Sequence, residues 1–96
     1  SSSFLKNTMS GGVLDRTAFY TTQLTDVVFD GMLKDCSFEN CYYTRLTFRN
    51  ATLMNTFFKG KSLKRIRFID CKADKITYAF LKNGKADMNG ITLLTP

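Results

Sequence analysis

The sequence predicts an all-β chain wound into a four-sided parallel β-helix. Three observations carry that prediction. A large apolar residue recurs every five positions, a small or aliphatic residue stands two before it, and a turn former or a charge stands two after it. Self-similarity at a fixed period is sought before helices and strands, because overlooking it misassigns the whole architecture.

The central series begins Phe4, Met9, Leu14, Phe19, Leu24 and Phe29, in steps of five. The phase slips by one residue between Gly31 and Lys34. It then resumes as Phe38, Tyr43, Phe48, Leu53, Phe58, Leu63, Phe68, Ala73, Tyr78, Asn83, Met88 and Leu93. Only Asn83 is polar, so 17 of 18 centres are apolar, where an apolar content of 44% would supply about eight.

The flanking series agree. Two residues before the centres stand Cys36, Cys41, Leu46, Ala51, Thr56, Lys61, Ile66, Cys71, Ile76, Leu81, Ala86 and Ile91, and two residues after them stand Asn40, Arg45, Asn50, Asn55, Gly60, Arg65, Asp70 and Lys85 among others. Two inward positions in every five suit neither a helix of 3.6 residues per turn nor a strand of period two. A chain that bends after five residues and returns after four such sides closes a coil of about twenty residues, and coils then pair backbone to backbone at roughly 4.8 Å. The 96 residues make a single domain, 1–96, of about four to five coils.

Composition supports a folded chain: 44% apolar residues, 9 Phe, 4 Tyr and a single Pro. Fourteen Lys and Arg against eight Asp and Glu give a net charge of +6, which favours acidic partners. No run approaches the roughly 18 to 20 apolar residues of a membrane span, and no basic-then-apolar start reads as a leader. Ser1 to Ser3 receive no function.

Catalysis has little to stand on. There is no His, no G-x-S-x-G and no phosphate-cradling glycine loop, and Asp15 and Asp35, twenty apart, are expected on a solvated column. No enzyme and no cofactor are expected. Cys36, Cys41 and Cys71 fall at inward positions and are expected as buried free thiols, only the first two being near enough to consider as a pair. Without His or a C-x-x-C spacing, no metal site is expected.

Surface candidates follow from the period. Residues twenty apart should stack, which predicts an outward basic column of Arg45, Arg65 and Lys85, enlarged by Lys59, Lys64, Arg67, Lys72 and Lys75. Nucleic acid is an unlikely partner, because only Tyr20, Tyr42, Phe57 and Phe80 are expected outside to stack on bases. Asn50-Ala51-Thr52 is an N-glycosylation sequon with Asn50 at an outward turn. Lys61 and Asn83 occupy positions meant for apolar side chains, so either the coil bulges there or they mark a site. The last coil leaves an open edge at Ile91, Thr92, Leu93 and Leu94, where a partner strand or a second copy could pair.

The unit Ala51-Thr52-Leu53-Met54-Asn55, echoed by Ala86-Asp87-Met88-Asn89-Gly90, resembles the pentapeptide-repeat family. That resemblance implies a right-handed quadrilateral β-helix, a pentapeptide-repeat solenoid. Within it, the run from Phe48 through Asn55-Thr56-Phe57-Phe58-Lys59-Gly60, followed by Phe68-Ile69-Asp70-Cys71, is similar to the luminal loop of synaptic vesicle glycoprotein 2, a transporter-like protein whose β-helix docks botulinum neurotoxin type A. The resemblance implies a non-catalytic protein-interaction domain in a luminal or extracellular loop of a membrane protein, with a clostridial neurotoxin or a matrix protein as partner. The chain departs from that family where a glycosylated Asn-Cys-Thr-Phe is replaced by Gly60-Lys61-Ser62-Leu63. The competing expectation is a bacterial pentapeptide-repeat protein, cytoplasmic or part of a secreted effector, whose β-helix binds substrate for a catalytic domain elsewhere.

Overall fold

The structure, a computed structural model, describes residues 2–5, 8–60 and 62–94, with side chains from residue 12 onward. In chain order the elements are β1 (Ser2–Leu5), β2 (Thr8–Asp15), β3 (Ala18–Tyr20), β4 (Thr22–Thr25), β5 (Val28–Lys34), β6 (Ser37–Glu39), β7 (Tyr42–Thr44), β8 (Leu46–Arg49), β9 (Thr52–Met54), β10 (Phe57–Lys59), β11 (Ile66–Ile69), β12 (Cys71–Ala73), α1 (Lys75–Asn83) and β13 (Ile91–Leu93).

Each strand pairs in parallel with the strand one circuit away. Between β1 and β4 the register is Phe4↔Leu24, between β4 and β7 Leu24↔Tyr43, between β8 and β11 Phe48↔Phe68, and between β12 and β13 Cys71↔Ile91. The step is 20 residues in three of these and 19 in the second. Parallel neighbours so spaced, joined by short bends rather than crossover helices, wrap a nearly closed parallel sheet, the connectivity of a β-helix.

The apolar centres meet inside this wrap. Phe19, Phe38 and Phe58 stack face to face with ring centroids 4.8 Å apart at each step. Phe29, Phe48 and Phe68 form a second stack at 5.0 and 5.2 Å. The two columns touch edge-on at 6.2 to 6.3 Å. The ring spacing follows the strand spacing, so parallel pairing alone brings like side chains into stacking distance. Leu33, Leu53 and Ala73 form a third buried column and Leu24 and Tyr43 a fourth.

Bends fall where the sequence places them. Asp26, Asp35, Asn40, Asn50, Asn55 and Asp70 all hold φ between 49° and 56°. Short polar side chains tolerate this left-handed geometry best. Their N–H groups donate to the next coil: Asn40 to Lys59 O at 2.9 Å, Asn50 to Ile69 O at 2.9 Å. Arg16, Thr21 and Arg45 adopt the same conformation without that advantage.

The phase slip has a local cause. β5 runs without a break where the coil above uses two strands, β8 and β9, and the register to it changes from Phe29↔Phe48 to Met32↔Thr52. One bend residue is missing, and Gly31 absorbs the loss at φ 153°. A Cβ there would lie 2.3 Å from Gly12 O, so only glycine fits. The slip also corrects one expectation: Asp15 sits opposite Lys34 rather than in register with Asp35.

The all-β expectation fails between residues 75 and 83, where the chain forms α1. Asp74 caps it, accepting Thr77 N–H at Oδ1 (3.0 Å) and Asn55 N–H at Oδ2 (2.7 Å), while Thr56 N–H donates to Thr77 Oγ1 (2.8 Å). Two side chains thus replace the carbonyls that another strand would have offered the coil below. Thr77 and Leu81 are buried, and Phe80 lies edge-on to Phe57 with centroids 5.0 Å apart. The helix ends in a Schellman arrangement, Ala86 N–H to Leu81 O and Lys85 N–H to Lys82 O, with Lys85 at φ 66°. Ile76 is therefore 51% exposed rather than inward, and Asn83 is an exposed helical residue rather than a bulged centre. Lys61 lies outside the described residues.

Candidate recognition surface

The predicted basic column is split by the helix. Leu46↔Ile66 and Thr47↔Arg67 set Arg65 and Arg67 one coil above Arg45 and Thr47, and all four line one open groove of about 570 Å³ with Thr44 and Leu46. Lys85, which terminates α1, instead borders a separate depression with Gly60, Ser62, Lys64 and Asn83. Arg67, expected only among the neighbours that enlarge the column, is the third member of this cluster in place of Lys85, because the five-residue period singles out corners and not strand faces. Arg67 alternates outward in β11 between buried Ile66 and Phe68.

Charges on this face are ordered by coil. Arg45 forks onto Asp26, through Nε to Oδ1 and through Nη2 to Oδ2 at 3.1 Å. Arg49 pairs with Asp30 at 3.5 Å. Arg65 and Arg67, on the coil above, take part in none of the ion pairs found among the described residues.

Asn50 stands exposed at a left-handed bend between β8 and β9, its backbone N–H bonded to Ile69 O. Thr52, two residues on, opens β9. The side-chain amide of the sequon therefore faces solvent at a fixed corner.

At the predicted C-terminal edge, β13 pairs on one side with β12 and is the last strand of its sheet among the described residues. Ile91 turns inward and is buried, Thr92 is exposed, Leu93 is 39% exposed and Leu94 donates its N–H to Ala73 O at 2.8 Å. The bonds Cys71 N–H to Gly90 O and Leu94 N–H to Ala73 O set the alternation, by which the Leu93 N–H faces the outer side.

The three cysteines are free and buried. Each thiol donates to carbonyls of its own and the preceding coil, Cys41 to Phe19 O at 3.3 Å and Cys71 to Phe48 O at 3.0 Å. Burial pushes the Cys36 and Cys71 thiols above their ordinary value, which keeps them protonated as donors. The Tyr43 hydroxyl, also buried, has no hydrogen-bond partner among the described residues, and burial pushes its pKa up. Of the aromatics expected outside, Tyr20 and Tyr42 are 59% and 49% exposed, whereas Phe57 and Phe80 half-bury each other.

The model of one protein family, the SV2A/B/C luminal domain, matches residues 4–78. The matched stretch begins within β1, covers β2 through β12 and enters the first turn of α1. The chain therefore belongs to the family of SV2 luminal domains, and its place is the luminal loop of a membrane protein. Among the described residues no helix is long and apolar enough to cross a membrane. No curated protein and no solved structure matches the chain.

Proposed function

We propose that the chain is the non-catalytic recognition domain of an SV2-like transporter. It is a right-handed, four-sided pentapeptide-repeat β-helix of four to five coils, displayed in the lumen, glycosylated at Asn50 and docked by a protein partner of the clostridial-neurotoxin kind. The bends at five-residue spacing and the four inward columns support the four-sided cross-section. The stacked phenylalanines leave the interior filled by the chain's own side chains, so recognition falls to the outside.

The observation that carries the reading is β13. As the terminal strand of its sheet, with the Leu93 N–H facing outward, it offers a partner strand the hydrogen bonds that a further coil would have made. The test is binding of the glycosylated chain to the immobilised receptor-binding domain of botulinum neurotoxin type A. Binding should be saturable, and Leu93→Pro, which removes that N–H, should weaken it about tenfold or more while leaving the thermal melt in place. Binding unchanged in Leu93→Pro would refute the edge as the site, and no binding by the parent chain would refute the toxin as partner.

A further inference from the structure

We propose that the groove lined by Arg45, Arg65, Arg67, Thr44 and Thr47 is a binding site for sulfated glycosaminoglycan. On the two lower coils each arginine of this face meets an acid, Arg45 on Asp26 and Arg49 on Asp30. On the upper coil Arg65 and Arg67 take part in no ion pair among the described residues, the nearest acid along the chain being Asp70 at the bend beyond β11. Arg65 and Arg67 stand about 7 Å apart along the chain and one coil, about 4.8 Å, above Arg45 and Thr47. The result is a patch of three exposed guanidinium groups with one carboxylate beneath it.

The patch is also a furrow. Between residues 63 and 66 the backbone makes a turn in which Ile66 N–H returns to Leu63 O, and among the described residues no strand pairs above β7. A second cavity of about 220 Å³ opens there, lined by Cys41, Tyr42, Tyr43, Thr44, Ser62 and Arg65. It adjoins the first at Thr44 and Arg65, so the two form one trough bordered by cations and hydroxyls.

The lining selects the ligand. A guanidinium fork matches the geometry of sulfate oxygens, and repeated forks suit a polyanion with repeated sulfates. The main groove has no aromatic ladder on which bases would stack. Its one apolar side chain, Leu46, is fully buried, so a protein partner finds no anchor pocket. A luminal loop of a membrane protein faces the compartments through which sulfated polysaccharides pass, and threonine hydroxyls suit their hydroxyl-rich rings.

The experiment titrates the full chain with heparin as probe at 0.15 M salt, roughly the physiological ionic strength. The parent chain should bind with an affinity that falls steeply with salt. Arg65→Ala combined with Arg67→Ala should lower affinity about tenfold or more, and the Lys pair at the same positions should restore only part of it, because ammonium keeps the charge and loses the fork. Lys82→Ala combined with Lys85→Ala, an equal loss of charge at the far end of α1, should change affinity less than about twofold. Absence of binding overturns the proposal, as do equal losses from the arginine and lysine pairs, which would mean attraction by net charge alone. Displacement of heparin by polyglutamate at equal charge concentration would also overturn it, in favour of an acidic protein segment. Both arginines are exposed, so thermal melts of the variants should match the parent.

Discussion

Gly31 shows how a single residue settles a question of register. The central series steps by five up to Phe29, and the next buried centre, Leu33, comes only four residues later. That shortening removes a bend, and the backbone crosses Gly12 so closely that a methyl group would collide with its carbonyl oxygen. Gly31→Ala should therefore cost about 1–3 kcal/mol in chemical unfolding, the range for a strained backbone position, whereas Gly12→Ala, with open space at its Cβ, should cost less. At the same scale the thiols are predictable. Cys36, Cys41 and Cys71 should resist a soluble alkylating reagent in the native chain and react together once it is denatured, because burial both shields them and disfavours the thiolate. Fast native labelling of any one would contradict the placement of that side chain in the core.

Helix α1 is the element that the sequence hid. Tyr78 keeps the five-residue phase, and Ile76 and Leu81 keep its inward partner, so the sequence pattern of the repeat runs on through a segment whose backbone has left it. The competing signal was present but short: Asp74 as an N-cap, Thr77 and Leu81 four apart on one face, Lys82 in the last turn and Gly84 just beyond. It prevails because Asp74 and Thr77 satisfy the amides of Asn55 and Thr56 while Leu81 fills the core end. Asp74→Ala should cost about 1–2 kcal/mol at neutral pH, the loss of a cap together with an orphaned amide. Burial pushes the Asp74 carboxyl up, but hydrogen bonds from Thr77 and Asn55 outweigh it and leave the pKa below its ordinary 3.8. A depressed carboxylate stabilises the fold above that ordinary value and loses its contribution as the pH falls through the folded one. The gap between parent and variant should therefore narrow on acidification below pH 3.8, and a gap that widened would contradict the cap.

For the molecule as a whole, the period of five made the core legible from Phe19 to Ala73, because in a parallel coil every inward residue stacks on another inward residue one circuit away. Phe38 and Phe48 sit in the middle of their stacks, each flanked above and below by another ring. Phe48→Ala should cost about 3–5 kcal/mol as a fully buried aromatic, more than the same change at Phe68, which ends its stack. The binding face was less legible. A column built on steps of twenty found Arg45 and Arg65, but it also took in Lys85, which only the geometry of the helix end removes, and it ranked Arg67, on a strand face, among mere neighbours.

The central claim is that this β-helix is a luminal recognition domain displaying Asn50 at an open corner. The most direct test is intact mass of the chain secreted from a eukaryotic cell, before and after N-glycosidase treatment. A glycosidase-sensitive increment that disappears in Asn50→Gln is the predicted result. A secreted, folded chain of unmodified mass would contradict the claim.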